Sequence, residues 1–287
     1  MPMEKVYKFL IAGLVVGLLV AAIGTYAVTT AMQQPESDCG DCHEGHGSVV
    51  APDVNVNGTI MLTGDTHADE FVPVADIFKL KQREVKTLVA QDGEGIPSTG
   101  TPVMDFLKAH SVTEFDYLVM YADDFVLILN RSEITEDTVF VPMEYSVRVL
   151  SSNMPIAAWL KNIKTIVVVG DGGDSVKLND KKITFGQMLD NGVETMPVSK
   201  KTIGYTYQDT NYQYETGYVV TGISLKSLLL KEGYTDFTTV TIDGEEISRD
   251  QVLKGTHFLT RDGGKIKLAS QIKNRQNWPD VETIVVA

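Results

Sequence analysis

"VTGISLKSLLLKEGYTDFTTVTIDG", residues 220–244, repeats the pattern of "STGTPVMDFLKAHSVTEFDYLVMYA", residues 98–122. The two stretches align without a gap. Thr99 and Gly100 match Thr221 and Gly222, Leu107 matches Leu229, and Thr113 and Phe115 match Thr235 and Phe237. Similar endings follow: "WLKNIKTIVVVG" from Trp159 and, after a one-residue gap, "WPDVETIVVA" from Trp278. Upstream, "VKTLVAQD" and "KTIGYTYQD" both end in Gln-Asp, at Gln91-Asp92 and Gln208-Asp209. Self-similarity over so long a period points to a duplicated structural unit.

Within each copy the apolar residues change period. Leu225, Leu228 and Leu229 recur at helical spacing and Gly233 closes the run, which predicts a short helix ending at a glycine. "TPVMDFLKAH" has the same spacing. "YLVMYADDFVLIL" and "TTVTIDGEEIS" read as strand pairs joined by acidic or Asp-Gly turns. "IKTIVVVG" and "VETIVVA" are β-branched runs, expected as buried strands. "GDGGDS", residues 170–175, separates the copies. It lacks the GxxxxGK[ST] form of a phosphate loop, and its two aspartates would repel an anion.

The N-terminal region reads differently. No residue from Phe9 to Met32 is charged. Such a run suffices to span a bilayer as a helix, which needs about 20 apolar residues. Lys5 and Lys8 precede it, while Glu36, Asp38, Asp41 and Glu44 follow. The positive-inside rule then puts the N-terminus in the cytoplasm and the body outside, on a single-pass anchor. A cleaved signal peptide is the competing reading, but the apolar run continues past the small-residue site at Ala22-Ile23-Gly24. The net charge of −13 argues against a nucleic-acid partner, since no basic stripe exists to neutralise phosphates.

"SDCGDCHEGHG", residues 37–47, holds both cysteines of the chain. Cys39-Gly-Asp-Cys42-His43 has the form of a c-type haem attachment site. The two thiols would form thioethers with the haem vinyl groups and His43 would be the proximal axial ligand. Covalent attachment suits a segment too short and polar to build a pocket. His67 or His46 is the candidate distal ligand. His110 and His257 read as ordinary polar residues. A redox dithiol should open a helix in a βαβ context, which is lacking here. A disulfide across two residues gains little by chain entropy. Cys39, Cys42, His43 and His46 have the ligand types of a zinc site but not its spacing. The expected class is therefore α+β: an N-terminal transmembrane anchor at 1–32, a haem-attachment segment at 33–52, then repeated β-rich units at 53–170 and 171–287.

The order of a strand pair, a Gln-Asp strand end, Thr-Gly-x-x-Leu-x-x-Leu-Leu and a closing Trp…Ile-Val-Val resembles the molybdopterin-binding domain of the sulfite oxidase superfamily. The resemblance covers nearly all of residues 55–287, in two copies, and implies that fold for both. In that family a cysteine on the strand end before the Trp-x-Gly segment binds molybdenum. Gln91 or Asp92, and Gln208 or Asp209, stand near that place, and neither copy has a cysteine. Basic residues for the pterin phosphate have no evident counterpart. The resemblance thus carries over a fold without a molybdenum site, and no molybdopterin is expected.

The function expected is electron transfer by a membrane-anchored, extracytoplasmic monohaem c-type cytochrome with cofactor-free tandem scaffold units. No catalytic residue is assigned. One alternative is a non-enzymatic cell-surface protein that binds a ligand or partner, with a disulfide or metal clip at Cys39 and Cys42. Another is a subunit of a polymeric or multi-subunit redox assembly. The expected partners are the membrane, a redox partner protein or neighbouring subunit, and further copies of the chain.

Overall fold

Apolar and polar residues alternate through much of the chain, a period-two pattern that favours strands with one buried face. A computed structural model describes residues 57–87, 95–154, 158–207, 210–270 and 278–287, with backbone alone at 96, 198–207 and 210–218. These residues belong to one compact unit, Val49–Ala287.

The first half contains β1 (Thr59–Gly64), β2 (Glu70–Pro73), α1 (Val74–Ile77), β3 (Arg83–Thr87), β4 (Ile96–Pro102), α2 (Val103–Ala109), β5 (Tyr117–Tyr121), β6 (Val126–Asn130), β7 (Val139–Pro142), β8 (Val147–Leu150) and β9 (Thr165–Val169). The second half repeats this order with β10 (Ser175–Leu178), β11 (Lys181–Thr184), α3 (Phe185–Leu189), β12 (Glu194–Tyr207), β13 (Thr210–Ser224), α4 (Leu225–Lys231), β14 (Thr239–Ile242), β15 (Glu245–Ser248), α5 (Arg249–Leu253), β16 (His257–Asp262), β17 (Lys265–Ser270) and β18 (Thr283–Val286). The sheets repeat too. The five-stranded order β2-β1-β9-β5-β6 corresponds to β11-β10-β18-β14-β15, and the four-stranded β3-β4-β7-β8 to β12-β13-β16-β17. Only β1–β9 and β10–β18 are parallel among the described pairs.

Matched residues do matched work. Leu107 and Leu229 are buried on α2 and α4, and Ile166 and Ile284 in the central strands β9 and β18. A Cβ on Gly100 would stand 2.3 Å from the Phe140 carbonyl oxygen. One on Gly222 would stand 2.0 Å from that of Leu259. Each glycine therefore lets a neighbouring strand cross at a distance no side chain permits.

The expected fold class is corrected. The described residues are mainly β-sheet in four sheets, and their longest helices have seven residues. Left-handed backbone at Ser111, φ +61, and at Gly233, φ +84, stops α2 and α4 after two turns. No helix of the described residues is long and apolar enough to cross a membrane. The anchored, single-pass localisation is corrected with it, and the run from Phe9 to Met32 on which it rested lies outside the described residues.

How the halves meet follows from where the copies differ. One face of the first five-stranded sheet carries Leu118, Met120 and Ile166, which pack into the first core with Phe106 and Leu107. The other face carries Val119, Val167 and Val169. These three join the second half's core, against Phe185, Met188 and Leu189 of α3. By strand register Val119 matches Thr241 and Val167 matches Val285. Met61 likewise matches Lys177. The second sheet thus turns a polar face outward, where Val285 is 49 % exposed, whereas Val167 is fully buried. The two copies stack head to tail because only the first offers an apolar outer face. Val167→Thr should cost about 1–3 kcal/mol by placing a hydroxyl in an apolar contact. Val285→Thr should stay within about 0.5 kcal/mol, as an exposed change. Denaturant unfolding of both variants measures the contrast.

Candidate functional site

The polar chemistry of the described residues gathers where the halves join. β1 ends at Gly64, with φ +93, and a loop runs through Asp65, Thr66, His67 and Asp69 to β2. The Asp65 carboxylate accepts from the Gly170 amide at 2.8 Å, the Gly186 amide at 2.9 Å and the Thr184 hydroxyl at 2.7 Å. Gly186 is constrained here by space: a Cβ would lie 2.6 Å from Asp65 Oδ2 and 2.3 Å from the Val168 carbonyl oxygen. Thr184 also caps α3, accepting from the Gln187 amide. At the other end of α3, Tyr121 donates to the Leu189 carbonyl and Lys231 to that of Gln187, so carbonyls without helical partners are satisfied. Tyr117 donates to Asp190 at 2.8 Å.

Arg261, on β16, crosses the junction in the other direction. Its side chain is almost wholly buried. Nη2 donates to the Gly64 carbonyl, and Nη1 to Thr66 Oγ1 at 3.1 Å and Asp69 Oδ1 at 3.3 Å. Nε lies 3.2 Å from Asp174 Oδ2, close enough for ion pairing although not aligned as a hydrogen bond. The guanidinium carbon sits 4.8 Å from the Phe185 ring centre. Thr63 donates to Asp69 at 2.6 Å. Burial raises the pKa of Asp65 above the usual 3.8, against the opposing pull of its donors and of Arg261. Burial also raises Asp69, against Thr63 and Arg261. The arrangement holds charge in fixed geometry. It is a structural lock, in which the hydroxyls of Thr63 and Thr184 hold the carboxylates in place.

Cys39, Cys42, His43 and His46 lie outside the described residues, as do Gln91, Asp92, Gln208 and Asp209. His67 is exposed, on the loop that Asp65 and Asp69 pin from either side. His110 is not a plain surface residue: its Nδ1 stands 2.6 Å from Glu70 Oε2 and its ring packs 4.8 Å from Phe106. His257 is half-buried, with Nδ1 3.3 Å from the Thr256 hydroxyl. Among the described residues no group of three or more His, Cys, Asp or Glu could hold a metal ion. A cavity of about 420 Å³ opens beside the junction, lined from both halves by residues that include Met61, Phe71, Tyr121, Lys164 and Thr195.

The sequence had marked the 64–71 loop only for His67. Arg261 carried no signal of its own as a single arginine in "FLTRD", although it matches Pro142 in the first copy by strand register. Removing its side chain leaves Asp69 and Asp174 uncompensated, so Arg261→Ala should cost about 3–5 kcal/mol in denaturant unfolding. The pH dependence has a definite sign. Asp65 binds its proton more tightly folded than unfolded, so its contribution is fully present below pH 3.8 and is lost as pH rises through the higher folded value. Stability measured from pH 4 upward should therefore fall more steeply in the parent than in Asp65→Asn.

A scan against protein-family models matches none, and a search of curated proteins finds no match. Among solved structures, the chain is similar to the sulfane dehydrogenase SoxCD from Paracoccus pantotrophus, at 10 % identity and a TM-score of 0.31. The similarity covers 71 % of this chain and 60 % of that one.

Proposed function

We propose that the chain is a monohaem c-type cytochrome that transfers electrons, with its tandem β-sheet units serving as a scaffold without a cofactor of their own. The observation that carries this reading is Cys39-Gly-Asp-Cys42-His43, which holds both cysteines of the chain. The donor set fits the group: two thiols at the attachment spacing and an imidazole next in sequence. Cys39 and Cys42 would each add sulfur and hydrogen across one vinyl group, and His43 would ligate the iron through a ring nitrogen. The bound haem supplies one-electron chemistry. His67 supports the reading as a distal-ligand candidate, because its loop is fixed by Asp65 and Asp69 while its side chain is exposed. His46 is the other candidate. A redox partner protein, or a neighbouring subunit, would receive the electron.

The alternative, a partner-binding surface protein, draws on one observation, the uncharged exposed edge at β6.

Produced with c-type maturation machinery, the full chain should give a haem-stained band on denaturing gels and a pyridine haemochrome equivalent to one haem. Cys39→Ala with Cys42→Ala should abolish the band. Metal analysis should find iron and no stoichiometric molybdenum. A colourless product whose Cys39 and Cys42 form a disulfide would contradict the proposal.

A further inference from the structure

The two copies settle their charges differently at one equivalent place. In the second copy Lys267 stands opposite Asp280, and its Nζ lies 2.8 Å from Asp280 Oδ1. Lys265 pairs with the other carboxylate oxygen at 2.6 Å. The first copy builds the same backbone. The Val149 amide donates to the Leu160 carbonyl and the Ile163 amide to that of Val147, just as Leu268 donates to Pro279 and Val281 to Ile266. Arg148 therefore matches Lys267, and Lys161-Asn162 stand where Asp280 does. The extra residue is a bulge, with Asn162 left-handed at φ +57. Where the second copy supplies an acid, the first supplies a second cation.

Arg148 is thus left without a counter-ion. It is half-buried, and its Nε is buried with no hydrogen-bond partner. Neither Arg148 nor Lys161 has an ion pair among the described residues. A guanidinium withdrawn from water is costly unless it is paired. Side chains at these two positions reach one another, as Lys267 and Asp280 do, so both cations can reach one ligand.

A cavity of about 240 Å³ adjoins them, lined by Lys161 and Asn162 together with Phe125 and Trp159. Phe125 is 63 % exposed. Arg148 lies on the same face of β8 as Leu150, whose cluster Trp159 packs against. Asp124 also lines the cavity, and its carboxylate opposes an anion there.

We infer that Arg148 and Lys161 bind a phosphate group, held between the guanidinium and the ammonium. Two cations match a dianion, and the planar fork of arginine fits phosphate oxygens. The phosphate is free, or it heads a monoester whose flat apolar part enters the cavity beside Trp159 and Phe125. A cavity of about 150 Å³ already accommodates benzene. The inference is independent of the haem reading.

Calorimetric titration of the full chain at low ionic strength tests it, with inorganic phosphate, phenyl phosphate and acetate as probes. Inorganic phosphate should bind at one site per chain, and acetate, with a single charge, about tenfold more weakly. Arg148→Gln should weaken phosphate binding about tenfold, and Asp124→Asn should strengthen it. Lys161→Asp rebuilds in the first copy the ion pair of the second. It should abolish phosphate binding, and because Lys161 is exposed it should keep or raise the thermal midpoint in phosphate-free buffer. Tighter binding of phenyl phosphate than of inorganic phosphate assigns the site to a monoester, and equal binding assigns it to free phosphate. A parent that binds no phosphate, or that binds acetate equally well, would overturn the inference. So would a Lys161→Asp variant that binds phosphate as the parent does.

Discussion

The buried guanidinium of Arg261 is the interaction on which the rest of the structure depends. It reaches from the second half into the turn that ends β1, holding the Gly64 carbonyl, Thr66 and Asp69 while lying over Phe185. Asp65 answers from the first half, binding the amides of Gly170 and Gly186 and the Thr184 hydroxyl. Desolvating such charges is costly unless their partners are fixed, and removing one partner leaves the other buried and unpaired. The segment between the copies is held by the same contacts, because Gly170 and Asp174 both belong to it. The "GDGGDS" stretch separates two units in sequence yet fastens them in space.

Duplication supplied two similar surfaces, and divergence gave them different roles. On the first sheet Met61, Val119 and Val167 make an apolar face. On the second, Lys177, Thr241 and an exposed Val285 face solvent. The docking helix differs in the complementary sense. Gly186, Met188 and Leu189 of α3 are all buried, while α1 shows Asp76, ion-paired with Lys79, to solvent. Each half therefore has one face suited to the junction and one suited to water. β6 is the exception, keeping apolar character beyond the area that the second half covers.

Much of the architecture was legible because it rests on local pattern. The repeated Thr-Gly, the leucines of α2 and α4, and the turns after β5 and β14 are each specified within a few residues. What was not legible depends on distant partners. Val167 and Val285 sit in nearly identical runs, and only the opposing α3 makes one buried and the other exposed. Asp65, Asp69 and Arg261 are ordinary polar residues in sequence, brought together by strand order. His110 read as a surface residue until Glu70 and Phe106 were placed beside it. The α+β class is corrected because strands dominate the four sheets, while α1, α3 and α5 are too short to show a helical period in sequence. The haem proposal rests on the spacing of Cys39, Cys42 and His43, which lie outside the described residues.

Native-state hydrogen exchange across a denaturant series measures the coupling most directly. β9 and β18 are the central strands of the two five-stranded sheets, and their amides open only when their own half unfolds. If the Arg261 and Asp65 contacts bind the halves into one cooperative unit, the amides of Val167 and Ile284 should converge on a single opening free energy with the same denaturant dependence. Two separate values, each with the smaller denaturant dependence of one half opening alone, would contradict it.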